Sequence, residues 1–317
     1  MRRNKFLLKP ANDYIWNQLE FFDFLIANQG QPITVDTNEE GVDLISAGVY
    51  KLLGQFDYQD VVIITNNLIE SHPKYQIKHK NPFKFFSVSQ TDYSKYHYWS
   101  KEKVFACLFN RPLWHRIGLA AEIQCEHDAK SIINMRADPN NDDQRSLFEL
   151  QKLFEYAPNS VAKFAQIKNL WPCQIESVDT YTVGNTTTGH TDQLAHFYLN
   201  FLIDVVAETW TQDNTFFPTE KTVRPMLLKK PMIVMGPKNY LEYLRQMGFR
   251  TFADFWDEEY DGYADTDRYL KILDLINKVS CKSIEELEHM YWDMQYTLDH
   301  NYNLLLTQGY NKKITAL

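Results

Sequence analysis

Thr219, Glu220 and Lys221 set a hydroxyl, a carboxylate and an ammonium side by side where an apolar strand pattern gives way to a helical one. Thr219, directly after Pro218, suits an N-cap, because its hydroxyl can accept a backbone N–H of the first turn. The free amides and positive dipole end of such a helix attract an anion, and Lys221 adds a full charge in the same turn. A carboxylate cannot hold phosphate, so Glu220 calls for another partner. An ionised acid accepts two hydroxyl donors at once, as a ribose or sugar diol offers. The plainer alternative is that Glu220 simply favours a helix start and Lys221 is a solvated surface residue.

The elements that position this trio can be read on either side. Leu199 to Trp210 reads as a buried strand running out to Glu208; the helix from Glu220 carries Arg224 and gives way at Lys230-Pro231 to a second apolar run, Met232 to Gly236. A similar unit lies upstream: Val104 to Phe109 as strand, Asn110 to His115 as turn, and a helix from Arg116 through Ile123. The turn after the first strand of a dinucleotide-binding unit is where pyrophosphate sits, normally on glycine. No glycine precedes Gly118 here, so Arg111, Arg116 and His115 would neutralise the diphosphate instead, the arginines bidentately. His115 reads equally well as a capping or core histidine.

The stretch FFPTEKTVRPMLLKKPMIVMGPKNYLEYLRQMGFRTFADFWDEEYD resembles the donor-binding region of fucosyltransferase-like glycosyltransferases of the two-Rossmann (GT-B) type. Those enzymes carry Thr-Glu-Lys at a helix start followed by a strand. The later Tyr-Leu, Gly-Phe, Thr-Phe and Asp-Glu-x-Tyr-Asp pattern is similar to one in uncharacterised viral and bacterial relatives, and FACLFNRPLWHRIGLA is a second point of similarity. Together they cover roughly the second half of the chain; the first hundred residues match only faintly. The resemblance implies an α/β fold of two Rossmann-like domains facing a central cleft. It implies Arg116 on the donor pyrophosphate, Glu208 on the sugar or a nearby hydroxyl, and transfer with inversion. Two cationic helix starts would stabilise the leaving diphosphate without a metal, so a nucleotide diphosphate sugar is expected as donor substrate, with no cofactor and no essential metal. The acceptor would be a glycan or another hydroxyl compound. Two other readings stand beside it: a non-catalytic nucleotide- or glycan-binding protein of the same fold, and a viral enzyme that glycosylates modified DNA bases.

Composition bounds these readings. With 317 residues, 44% apolar and 23% charged, the chain has the make-up of a globular protein of two ordinary domains. Its net charge of −8 argues against general nucleic-acid binding, although Arg111, His115, Arg116, Lys221 and Arg224 can still form a local basic pocket. No apolar run is long enough for a bilayer, and MRRNKFLLKPANDY is too short in apolar residues for a secretory signal. The expected location is the cytoplasm, or the host cytoplasm for a viral protein. Cys107, Cys125, Cys173 and Cys281 are scattered and expected to be reduced.

The domain division is expected near residue 100, giving an acceptor-side domain over 1–100 and a donor domain with terminal helices over 101–317. The polar, aromatic stretch TDYSKYHYWSKEK would be a hinge, an acceptor surface or interdomain packing. In the first domain a helix is expected within 5–28, then strand PITVD, a helix over 42–53, strand VVIITN and a third strand over 83–88. Such alternation points to a parallel sheet, whose ligands bind beyond the carboxyl ends of the strands. That places Asp36, Glu39, Glu40, Asn66 and Asn67 at the crevice. An inverting transfer needs a carboxylate base near the attacking hydroxyl, and Glu39 or Glu40 is the candidate; either also suits a first helical turn. DPNNDD, residues 138–143, reads as a solvated turn rather than a metal site, and the spacing of His190 and His196 is not that of helical metal ligands. A helix over 237–247 ending at Gly248 and two helices over 265–306 complete the expectation.

Overall fold

The computed structural model describes residues 3–8, 16–37, 41–80, 92–135, 144–171, 194–212 and 214–311. They form two compact units, one within Met1–Pro82 and Gln212–Phe217, the other within Phe83–Thr211 and Pro218–Asn311. Sequence placed the division at residue 100. The contacts divide the chain earlier because Tyr93 is buried with Ala106, Tyr198 and Phe201 in a core of the second unit.

The first unit runs β1 (Asn4–Leu7), α1 (Gln18–Ala27), β2 (Ile33–Asp36), α2 (Val49–Gln55), β3 (Val61–Thr65) and β4 (Gln76–His79). Its four strands are all parallel and lie in sequence order. The β-branched runs ITVD and VVIIT supply the buried middle strands, whereas QIKH alternates exposed and half-buried positions, as an edge strand does. Residues 5–28 are therefore not one helical stretch: Asn4–Leu7 pair with Ile33–Asp36, and the helix begins at Gln18. The second helix starts at Val49 rather than residue 42, because the Asp43 carboxylate accepts the amides of Ile45 and Ser46 in a turn and Gly48 follows with φ 72°. The strand expected over 83–88 lies outside the described residues.

Segment Gln212–Phe217 belongs to this unit although it follows the second unit's strands in sequence. Asn67 holds it: Nδ2 donates to Asn214 O at 3.1 Å, and Oδ1 accepts Phe216 N at 2.9 Å. Asp43 Oδ2 accepts Asn214 N, and Leu68 N donates to Phe216 O. Gly41 is required here, since a Cβ would lie 2.2 Å from Phe217 Cβ.

The second unit runs β5 (Lys103–Phe109), α3 (Trp114–His127), β6 (Ser131–Met135), α4 (Gln144–Tyr156), α5 (Pro158–Ile167), β7 (Phe201–Ala207), α6 (Glu220–Leu227), β8 (Met232–Met235), α7 (Tyr240–Gln246), α8 (Asp265–Ser280), α9 (Ile284–Asp293) and α10 (Gln295–Asn311). The parallel sheet has the order β6-β5-β7-β8, so the chain builds outward on one side of β5 and then on the other. FLIDVVA is buried at every position, the signature of a parallel strand covered on both faces. Gly248 ends α7 with φ 94°, the left-handed stop its sequence suggested. Three terminal helices replace the expected two, because Ser283 and Glu286 form a capping box that restarts the chain as α9. No helix among the described residues is long and apolar enough to cross a membrane.

Candidate functional site

In open parallel α/β sheets ligands bind beyond the strand carboxyl ends, where the strand order reverses. Here that point lies between β5 and β7, and the residues around it come from β7, α3 and α6. Glu208, one residue past β7, is the hub. Its buried carboxylate accepts Thr219 N at 3.2 Å, Thr219 Oγ1 at 2.5 Å, Thr222 Oγ1 at 2.7 Å and the Tyr240 hydroxyl at 3.0 Å. Lys221 Nζ stands 3.9 Å away. A protein carboxylate thus sits at the start of α6, where the dipole favours negative charge. Gly236 lets Tyr240 reach it: a Cβ there would meet the tyrosine ring at 2.7 Å.

Thr219 caps α6 as its sequence suggested, accepting Lys221 N. Lys221 is partly exposed and pairs with Glu220 at 2.8 Å, also donating to Thr219 Oγ1 at 3.1 Å. Burial works to raise the Glu220 carboxyl, but Lys221 and Arg224 overcome it and hold it at about 2. Arg224, one helical turn on, is buried and faces Tyr198 and Asp204. Asp204 lies in mid-strand and takes the Tyr198 hydroxyl; burial raises its carboxyl to about 6, against the opposing pull of Tyr198 and Arg224. Leu108, Phe109, Asp204 to Ala207, Lys221 and Arg224 line a cavity of about 10 Å³, room for about one water.

Arg116 reaches the same strand end from α3. Its guanidinium, 1% exposed, donates to Ala207 O through Nε and Nη2, and Nη2 also meets Thr209 Oγ1 at 3.4 Å. Burial lowers its pKa to about 10, with Glu208 and Glu220 opposing, so it stays charged at neutral pH. His115 shares a 3.0 Å hydrogen bond with Glu208 O through Nε2. Burial and neighbouring Arg116 drive its pKa well down, so the neutral ring donates from Nε2 and leaves buried Nδ1 without a partner. Arg111 is exposed in the turn before α3. The start of α3 is also occupied: Glu149, fully buried on α4, accepts Trp114 N at 2.7 Å, and burial raises its carboxyl.

The geometry therefore gathers Arg116, His115, Glu208, Thr219, Glu220, Lys221 and Arg224 around the end of β7. It differs from the sequence expectation in one physical respect. Both helix starts meant for phosphate already hold carboxylates of the chain, Glu149 and Glu208. At the end of β7 the cations Arg116, Lys221 and Arg224 stand among the acids Asp204, Glu208 and Glu220, with Arg111 near Arg116. Asp204, Tyr198, Tyr240 and Glu149 were missed. Two had a legible signal: Asp204 interrupts the apolar run FLIDVVA, and Glu149 lies on the buried stripe of Ser146 and Leu153.

In the first unit Asp36, at the end of β2, pairs with Lys5 at 2.9 Å and Lys80 at 2.8 Å. Asn66, just beyond β3, is buried with neither amide atom partnered. Glu39 and Glu40, residues 138–143, His190 and Cys173 lie outside the described residues. Among the described residues Cys107, Cys125 and Cys281 form no disulfide. Three acids of WDEEYD are structural: Asp261 accepts the amides of Leu241 and Glu242 at the start of α7, Glu258 accepts Phe252 N, and Asp257 accepts Glu259 N. No group of three or more His, Cys, Asp or Glu among the described residues is arranged to hold a metal ion.

Fold and site together define a mixed α/β protein with two four-stranded parallel sheets, the second carrying a charged cluster at its order reversal. No family model, curated protein or solved structure matches the chain.

Proposed function

We propose that this chain is a glycosyltransferase of the GT-B type that moves a sugar from a nucleoside diphosphate sugar to a hydroxyl acceptor, with inversion and without an essential metal. The observation that supports this reading is the cavity at the β5/β7 reversal, lined by Lys221 and Arg224 beside the Arg116 guanidinium. The cavity is closed around about one water, so the diphosphate enters by displacing Glu220 from Lys221. The partly exposed Glu220 carboxylate then turns to the ribose or sugar diol, and the ammonium to phosphate. As the bond from the anomeric carbon to the diphosphate breaks, negative charge grows on the leaving oxygen, where Lys221 and Arg224 stabilise it. The acceptor oxygen bonds to the anomeric carbon from the opposite side and gives its proton to a carboxylate, the role proposed for Glu39 or Glu40. Glu208 acts indirectly: its hydrogen bonds fix Thr219 and with it the first turn of α6.

The pairing of these cations with acids of the chain supports a second reading, a non-catalytic nucleotide- or glycan-binding protein. Hydrolysis or transfer of a bound donor sugar separates the two. Thermal-shift screening against nucleoside diphosphates and their sugars is the first experiment, since a ligand of the native form raises the melting point. For the nucleotide that binds, Lys221→Ala is expected to weaken affinity by about 1–3 kcal/mol in calorimetry, the scale of a charge-assisted contact. No response from any nucleotide, or unaltered affinity in the variant, ends the proposal.

A further inference from the structure

A second cavity of about 180 Å³ lies in the same unit, built from α8 and the loop after α7. Its aromatic wall is Phe255, Trp256 and Tyr260; α8 contributes Lys271 and Lys278, and Lys282 follows just past its end. On α8, Lys271 and Lys278 fall on one stripe with Leu275 and Val279 beside them, and the chain after the helix brings Lys282 to the same lining. The lining therefore joins an apolar floor to lysine side chains, of which Lys271 also sets its ammonium over the Tyr263 ring. Two acids, Asp257 and Asp274, also border it, and Asp257 already accepts Glu259 N. The lining carries one more positive than negative charge, in a chain whose net charge is −8.

The aromatic wall also carries an unpartnered group. Trp256 is 7% exposed, and its buried indole Nε1–H has no hydrogen-bond acceptor among the described residues. A buried donor without a partner is costly, and such groups call for an explanation. Nearby Tyr260 is spoken for: its hydroxyl accepts Val234 N. The cavity is of the size that takes about one aromatic ring, since an apolar space of about 150 Å³ holds benzene.

The cavity is separate from the cluster at the sheet reversal. The first turn of α8 reaches the carboxyl end of β8, where Arg268 Nη1 donates to Gly236 O. Its last turn reaches the amino end of β6, where Lys130 Nζ donates to Ser280 O. Lys278 and Lys282 stand at that second end.

We infer that this cavity is a binding site for a small ring-bearing anion, an aryl phosphate or carboxylate. The ring packs on Phe255 and Trp256, and the anionic group meets Lys278 and Lys282. None of this depends on the transferase reading.

The test uses the full chain and phenyl phosphate, with benzoate, phenol and inorganic phosphate alongside. The indole N–H signals of the seven tryptophans are followed by NMR, and Trp256→Phe identifies the one that matters. Phenyl phosphate is expected to shift the Trp256 signal saturably, and benzoate to shift the same signal. Phenol and inorganic phosphate should bind at least about tenfold more weakly, the scale of losing one charged or one apolar contact. The double variant Lys278→Gln, Lys282→Gln should melt with the wild type and bind phenyl phosphate at least about tenfold more weakly. If Trp256→Phe does not fold, loss of the shift in the lysine variant identifies the signal. An unmoved Trp256 signal overturns the inference. So does phenol or inorganic phosphate binding as tightly as phenyl phosphate, or a lysine variant that binds like the wild type.

Discussion

Replacing Glu208 by Gln tests whether this carboxylate holds the start of α6. The substitution keeps shape and removes charge. Glu208 Oε1 receives three donors, Thr219 N, Thr222 Oγ1 and the Tyr240 hydroxyl, while Oε2 receives Thr219 Oγ1. A glutamine can place its carbonyl oxygen where the three donors converge. Each bond then falls from a charge-assisted one, about 1.5–3 kcal/mol, to a neutral one, about 0.5–1.5 kcal/mol. Three such losses come to about 3 kcal/mol. The new NH₂ also faces Lys221 Nζ, which stood 3.9 Å from Oε2. Because the chain forms two units, global unfolding need not be two-state, so a local measurement is preferable. Hydrogen exchange of the peptide carrying residues 219–227 reports the opening of α6 directly. About 3 kcal/mol corresponds to roughly a hundredfold faster exchange in the variant. Exchange within about threefold of the wild type would show that the helix start is held by something else, and the reasoning about Glu208 fails.

Asp204→Asn probes the buried strand carboxylate. Its folded pKa of about 6 lies above the usual 3.8, so its contribution to stability is full below 3.8 and is lost as pH rises through about 6. The gap corresponds to about 3 kcal/mol, and melting curves of wild type minus variant should fall between those pH values; parallel curves refute the assignment. Gly118→Ala puts a Cβ 2.4 Å from the Tyr269 hydroxyl and 3.0 Å from Leu153 Cδ1. Overpacking of about 1–3 kcal/mol should outweigh the gain of about 1 kcal/mol from helix propensity, and adding Tyr269→Phe should restore part of the loss. No recovery of the melting point in the double variant counts against that packing. EDTA should leave transfer or donor hydrolysis intact, and a strict requirement for Mn²⁺ or Mg²⁺ would return attention to residues 138–143.

The second sheet was legible where strands are fully buried. FLIDVVA and the run before Gly236 read as covered strands, and Thr219 after Pro218 reads as a helix start. What escaped was set by partners far away in sequence. Ser131–Met135 reads as a short, half-polar run and becomes β6 because β5 pairs along its length. Asn4–Leu7 shares a helical spacing with the aromatic residues up to position 28, yet pairing with β2 decides it as a strand. For the site, residue types at the helix starts were legible, but their occupancy was not: Glu149 and Glu208 lie outside the turns they cap. Nothing local in Glu149 says that its carboxylate reaches Trp114 N, 35 positions earlier.

The attachment of Gln212–Phe217 to the first unit has a consequence for how the protein is made. Asn67 finds Phe216 across 149 positions, and Thr215 finds Gly41 across 174. A ribosome making the chain from its amino end has therefore released the whole first sheet long before the segment that finishes it is synthesised. Until then Asn67, Leu68 and Gly41 stand open, and closures between such distant positions form slowly. Fragments cut after residue 82 would lack that closing segment however well their strands pair.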